Sequence, residues 1–351
     1  MKKETLVYLE ELLNQPSPSG YEDKARKVWR KEMKPIADTV KGDTHGNSIA
    51  VLNGKGSPRV MLAGHIDEIG FQVNHICKEG YIYFKPIGGF DIQIIPGRRV
   101  IIHTKNGPLK GVIGKKAIHL MSPEDRKKVP LFHELWIDTG INDEKKLKKL
   151  VDIGDPITYA EGFEKLNDSI YVSRGVDDRI GAFVVGEVLR YIKGKPLQAS
   201  VHAVATVQEE IGLRGATTSA FGIKPDVAFA VDVTFATAPS MNKKQTGDVE
   251  LGKGPAISRG PNFNPKLFEL VTSVAKKKKI KIQLEAANRG TGTDANAIQL
   301  SRAGVAASLI SIPNRYMHTP VELFDIRDVE AAIKLIGETI LALNAKSSFI
   351  I

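Results

Sequence analysis

A single cysteine, Cys77, in 351 residues excludes a disulfide framework. Long apolar runs are missing as well: none approaches the roughly 18 residues needed to cross a bilayer. The N-terminal Met1–Leu6 carries two lysines, but Glu4, Glu10 and Glu11 interrupt any apolar region of signal-peptide length. The cytoplasm is therefore the expected compartment, with no membrane partner. Aromatic residues make up only 7% and form no evident stacking cluster, which gives little support to binding of single-stranded nucleic acid. Acidic residues are in deficit, 40 against 50 Lys plus Arg, for a formal charge of +10. A basic surplus invites a nucleic-acid reading, yet this one is not focused. Its densest run, Lys276–Lys279 with Lys281, falls at the end of an amphipathic helix, where cations suit the negative end of the dipole. No nucleic-acid partner is expected. There is no internal repeat and no low-complexity linker.

What is present describes a packed enzyme. Hydrophobic residues at 42% and charged residues at 26% are globular usage, and the length suits two cores better than one. Helical periodicity marks Thr5–Leu13, Tyr21–Met33, Arg179–Tyr191, Pro265–Lys278 and Val329–Leu343. Short apolar runs at Val60–Ala63, Ser200–Val207, Val227–Val231 and Ala306–Ile312 read as buried strands. Together they predict an α/β domain with a sheet flanked by helices. From Phe71 to Phe163 the texture changes to short alternating strands rich in glycine, with one convincing helix at Glu144–Leu150. The expectation is a discontinuous catalytic domain, 1–70 plus 164–351, with a small β-rich domain inserted at 71–163.

Chemistry-bearing residues cluster just past the buried strands, where open α/β sheets place their sites. Gly64-His65-Ile66-Asp67 follows the first. Residues two apart in extended chain share a face, so Asp67 can approach the His65 imidazole, and a carboxylate behind a ligand histidine fixes its tautomer. Gln208-Glu209-Glu210 ends the second strand. Adjacent carboxylates would point to opposite faces of a regular strand, so both serve one site only if the chain leaves the sheet there, as Gly212 permits. Asp232 follows Val227–Val231, Asp177-Asp178 opens the Arg179–Tyr191 helix, and His318-Thr319-Pro320 follows Ala306–Ile312. Each has a structural alternative: Asp178 as a helix cap, Asp232 and His318 as turn residues, the glutamates as a solvated pair. As a set, two histidines and several carboxylates supply the nitrogen and oxygen donors that zinc or cobalt accepts. Neighbouring features carry less. His45 in Gly42–Asn47 reads as a turn residue, Arg289–Asp294 reads mainly as a helix cap at Thr293 or Asp294, and His133-Glu134 lacks the second histidine of a zincin.

The chain resembles the M42 dinuclear metalloaminopeptidases, which include the tetrahedral TET peptidases and bacterial glutamyl-type aminopeptidases. The resemblance spans nearly the whole length. It rests on Gly64–Gly70, Val176–Gly181, Gln208–Gly212, Asp232, Gly292–Ala295 and His318–Pro320, in order and separation.

The resemblance implies a phosphorylase/hydrolase-like catalytic domain and an insert used for dimerisation, often within a hollow tetrahedral dodecamer. It implies two divalent ions bridged by Asp177, one also held by His65 and Asp232, the other by Glu210 and His318. Asp67 would orient His65, and Glu209 would be the base acting on a metal-bridging water. In the wider clan the peptide after the bridging aspartate is often cis. The implied activity is removal of N-terminal residues from peptides. Rival readings are a deacylase or carboxypeptidase on a similar site, and an endoglucanase, to which adjacent Glu209 and Glu210 are poorly suited.

Overall fold

The computed structural model describes every residue except Ser240. Its larger sheet has eleven strands. The centre is four parallel strands side by side: Ser200–Thr206, Arg59–His65, Val227–Phe235 and Ala306–Arg315. Parallel strands covered on both faces read as continuous apolar runs, and six of the seven residues of Arg59–His65 are buried. Antiparallel strands extend both edges, Ser48–Leu52 and Thr39–Gly42 on one side, Glu322–Asp325 and Ile170–Ser173 on the other.

One face is covered by helix Val176–Ile192, packed on the Arg59–His65 strand and against helix Ile326–Leu341. The other carries the shorter helices Arg214–Ile223 and Asp294–Ile298. The strand and helix approach so closely that a Cβ on Gly64 would lie 2.2 Å from the Gly181 carbonyl carbon. Helix Pro265–Lys278 begins as its sequence dictates: Asn264 accepts from Leu267 N at 3.0 Å and proline sits in the first turn. The lysine run closes its last turn.

The chain between the first and later sheet strands forms a separate six-stranded closed barrel. Its strands are Gly70–Ile76, Ile82–Ile87, Arg99–Thr104, Gly107–Gly114, Trp136–Asp138 and Pro156–Tyr159. Closure leaves no unpaired edge, and the interior is its own core, including Phe71, Phe84, Ile102, Ile137 and Ile157. Among the described residues no helix is long and apolar enough to cross a membrane.

Candidate metal centre

The C-terminal ends of the parallel strands bring His65, Asp177, Glu209, Glu210, Asp232 and His318 to one cavity of about 420 Å³. His65 is the last residue of its strand and lies opposite Thr206 in the neighbouring one. Beyond Thr206 the chain leaves the sheet earlier than the sequence suggested. The turn is made by Gln208 itself, at φ 55°, four residues before Gly212. That left-handed residue swings Glu209 and Glu210 to the same site instead of to opposite faces. The expectation that Asp232 lies past its strand also needs correction: Asp232 sits inside Val227–Phe235, paired with Ser311. It reaches the site because pairing with the Arg59–His65 strand stops at Ala230, opening a gap between the two.

Asp177 lies between the histidines. One of its oxygens is 3.1 Å from His65 Nε2 and the other 3.2 Å from His318 Nε2. His318 Nε2 is also 3.4 Å from Glu210 Oε1, and His65 Nε2 is 3.8 Å from Glu209 Oε2. Both rings are held through Nδ1, by the backbone carbonyl of Asp67 at 3.1 Å for His65 and of Gly89 at 2.9 Å for His318. A ring that donates from Nδ1 keeps the Nε2 lone pair for a ligand. Gly89 belongs to the barrel segment, so the insert itself touches the site.

The Asp67 carboxylate does more for the glutamates than for the histidine. It is 3.5 Å from His65 Nδ1, whereas it accepts Glu209 N at 3.1 Å, Glu210 N at 3.2 Å and Ser19 Oγ at 2.7 Å. It thus ties the Gln208–Glu210 turn to the strand end. The Asp177–Asp178 peptide is cis. Asp178 accepts from Gly181 N and from His65 N, both at 3.1 Å, capping the helix while joining it to the strand.

Sequence reasoning missed Glu322 and read Asp294 mainly as a helix cap. Glu322 is buried and accepts Asp177 N at 2.9 Å and His318 N at 2.8 Å, clamping the backbone of both residues. Asp294 is buried, takes a 2.5 Å hydrogen bond from Thr206, and leaves its other oxygen unpartnered. The expected cap is absent: Thr293 makes no side-chain bond to the Asp294–Ile298 helix, and Asp294 is turned toward the sheet. Glu322 follows His318 by four residues and Asp294 lies in the Gly292–Ala295 motif, but periodicity gives neither a role at the cluster.

The electrostatics are those of a site short of positive charge. Burial, then neighbouring acids, pushes the carboxyl of Glu209 up to about 10 and that of Asp294 up to about 6. Asp232 and Asp178 are raised by burial and by nearby aspartates. Burial opposes charge on Asp177 too, but hydrogen bonds from His318 and His65 hold it below the usual carboxylate range. His318 moves against its own desolvation up to about 11, because Asp177 and Glu210 face it. Buried oxygens of Glu209 and Glu210 have no hydrogen-bond partner. Donor atoms of His65, Asp177 and Glu210 lie within 4.8 Å of one another, as do those of His65, Asp178 and Asp232. Unpartnered oxygens, hard donors and two imidazoles fit divalent cations, which would supply the missing charge.

Comparison with known proteins places these features. A family model for the M42 glutamyl aminopeptidases matches residues 46–335. The lysyl aminopeptidase of Pyrococcus furiosus is 40% identical over 330 residues, covering 93% of this chain and 94% of that protein. A TET aminopeptidase from a marine sediment archaeon of the Thaumarchaeota superposes with a TM-score of 0.93 at 36% identity, over 97% of each chain. The TET1 peptidase of Pyrococcus horikoshii, which can assemble into a tetrahedron or a large octahedral shell, matches with a TM-score of 0.86 at 35% identity, over 97% of this chain and all of that one.

Proposed function

Since this chain belongs to the M42 glutamyl aminopeptidase family and is a metal-dependent aminopeptidase, we propose that His65, Asp177, Glu210, Asp232 and His318 hold two divalent ions and that Glu209 is the catalytic base. The observation that carries this reading is Asp177, which offers one oxygen toward each imidazole. His65 and Asp232 serve one ion, Glu210 and His318 the other, with Asp177 shared. Asp178 is already committed to two backbone N–H groups, which leaves Asp232 as the freer carboxylate. Zinc or cobalt suits the donor set.

Bound there, such ions polarise the scissile carbonyl and lower the pKa of water. Glu209 lies 3.8 Å from His65 and has a free buried oxygen, so it can take the proton of the attacking water and return it to the leaving amine. Cations at Asp177, Glu210 and Asp232 would bring its raised proton affinity down toward a working range. Asp67 holds the Glu209 backbone and is a positioning residue.

The substrates are peptides with a free N-terminus. We further propose a cytoplasmic homo-oligomer, built from dimers joined through the barrel at 71–163 and assembled as a tetrahedral dodecamer; a TET1 relative at 34% identity is a dodecamer, and the Pyrococcus horikoshii TET1 peptidase can form a tetrahedron as well as a larger octahedral shell. A glycosidase would need two opposed carboxyls about 5–9.5 Å apart, whereas Glu209 and Glu210 are successive residues of one turn.

The test is hydrolysis of leucine p-nitroanilide by chelated protein, then after adding zinc or cobalt, alongside the N-acetylated substrate. Loss on chelation, recovery with metal and no cleavage of the acetylated compound are expected. Activity that survives chelation contradicts the metal role, and cleavage of the acetylated substrate favours a deacylase.

A further inference from the structure

We propose that Glu22, buried outside the catalytic cavity, is a positioning residue for the reaction: its carboxyl oxygen holds the Gln208 N–H and so aims Glu209 and Glu210 into the site. This rests on the assignment of Glu209 as base and extends it to what fixes the turn that carries the base.

Beyond Thr206 the chain has left the sheet, and its backbone N–H groups need other acceptors. Four in a row find them on side chains from distant segments. Val207 N donates to Asn47 Oδ1 at 3.1 Å, Gln208 N to Glu22 Oε1 at 3.2 Å, and Glu209 N and Glu210 N to the two oxygens of Asp67 at 3.1 and 3.2 Å. Of these donors Gln208 is the one at φ 55°, a conformation that residues other than glycine adopt only under constraint. Successive N–H groups around a left-handed residue form a concavity that binds anions. Here the chain supplies its own carboxyls, and Glu22 is the one that meets the hinge residue.

Glu22 directly precedes helix Asp23–Met33, yet its side chain caps none of that helix's N–H groups. Oε1 instead takes Gly20 N at 2.7 Å as well as Gln208 N, so the chain just before it fixes the oxygen in place. The residue is only 4% exposed, and Arg26, a cation that acts on it, is committed to Asp23 and to the Gly46 carbonyl. A buried carboxyl without an ion pair is costly. Among the described residues, the Gln208 N–H is the donor that reaches it from outside its own segment. Burial and the nearby Asp67 push its carboxyl up to about 7. A carboxyl oxygen accepts these N–H groups with or without the proton, so the role depends on where the oxygen stands and not on its charge.

Glu22→Gln keeps an oxygen in the same place, Glu22→Asp withdraws it by one methylene from a bond already 3.2 Å long, and Glu22→Ala removes it. Hydrogen exchange of chelated protein reads the turn itself. The amides of Val207–Glu210 should exchange about tenfold faster or more in the Ala and Asp variants, and within about threefold of the wild type in the Gln variant. With leucine p-nitroanilide and saturating zinc, kcat should fall about 10–100-fold in the Ala and Asp variants, as for a base displaced by about an ångström, with KM within about threefold. Glu22→Gln should keep at least about a third of kcat, which a role resting on charge would not allow. Should Glu22→Ala not fold, the comparison of Asp with Gln carries the test. Unchanged exchange and kcat in Glu22→Asp, or a Gln variant that loses as much as Asp, overturns the proposal. Glu209→Gln, run beside them, separates this from the base assignment. Undiminished turnover there overturns the base, whereas an impaired Glu209→Gln with a fully active Glu22→Ala overturns the role of Glu22 alone.

Discussion

Replacing Glu322 by glutamine exchanges one buried acceptor oxygen for an NH2 group between two backbone N–H donors. In the native protein those donors are Asp177 N and His318 N, at 2.9 and 2.8 Å, and the side chain is nearly inaccessible to solvent. However the amide is turned, one donor loses its acceptor and meets another donor. A buried N–H left without a partner costs about 1–3 kcal/mol. For a chain of this size that lowers the unfolding temperature by about 1–4 °C. The larger effect falls on metal binding, since Glu322 holds two ligands from different segments. Losing an outer partner of this kind weakens a metal site by about 10–100-fold. Competition with a chromophoric zinc chelator measures the affinity directly, and thermal unfolding of chelated protein separates it from stability. Glu322→Ala orphans both donors and should lose more on both scales. Zinc affinity within twofold of the wild type in Glu322→Gln would refute the view that this clamp holds the site together.

Glu68 is buried beside Arg174 at 2.7 Å and the wholly buried Arg179 at 3.0 Å. Glu68→Ala would strand both cations at a cost of about 3–5 kcal/mol, or about 4–7 °C in unfolding temperature; the exposed Asp23–Lys27 pair provides the contrast, with Asp23→Ala expected within about 1 °C. A Glu68→Ala protein as stable as the wild type contradicts this. Without metal, His318 is pushed up to about 11 by Asp177 and Glu210 against the opposing effect of burial, so it is protonated at pH 7. A cation must displace that proton. Zinc titrations in buffers of different ionisation enthalpy should show at least one proton released per chain and an affinity that rises with pH; zero release contradicts the assignment of His318 as a ligand.

Much of this was legible in the sequence because the relevant signals are local. The central strands are nearly unbroken apolar runs, Pro265–Lys278 carries a helical period, and the acids and histidines fall near strand ends. The departures come from long-range geometry. Nothing local marks Gln208 as left-handed, since non-glycine residues adopt that conformation only when the surroundings impose it. Asp232 looked terminal because its apolar run stops there, whereas pairing with Ala306–Arg315 carries the strand on to Phe235. The barrel was visible only as β-rich texture. Its closure depends on Pro156–Tyr159 pairing with both Gly70–Ile76 and Arg99–Thr104, contacts far apart in the chain. Glu322, Asp294 and Gly89 act on the site through partners up to 229 residues away.

The account turns on Glu209 moving a proton at a metal site it does not help to build. Glu209→Gln should be assayed on leucine p-nitroanilide with metal content measured on the same sample. The prediction is two metal ions per chain retained and kcat lower by about 10²–10⁴-fold. Undiminished hydrolysis by a variant that keeps both ions would contradict it.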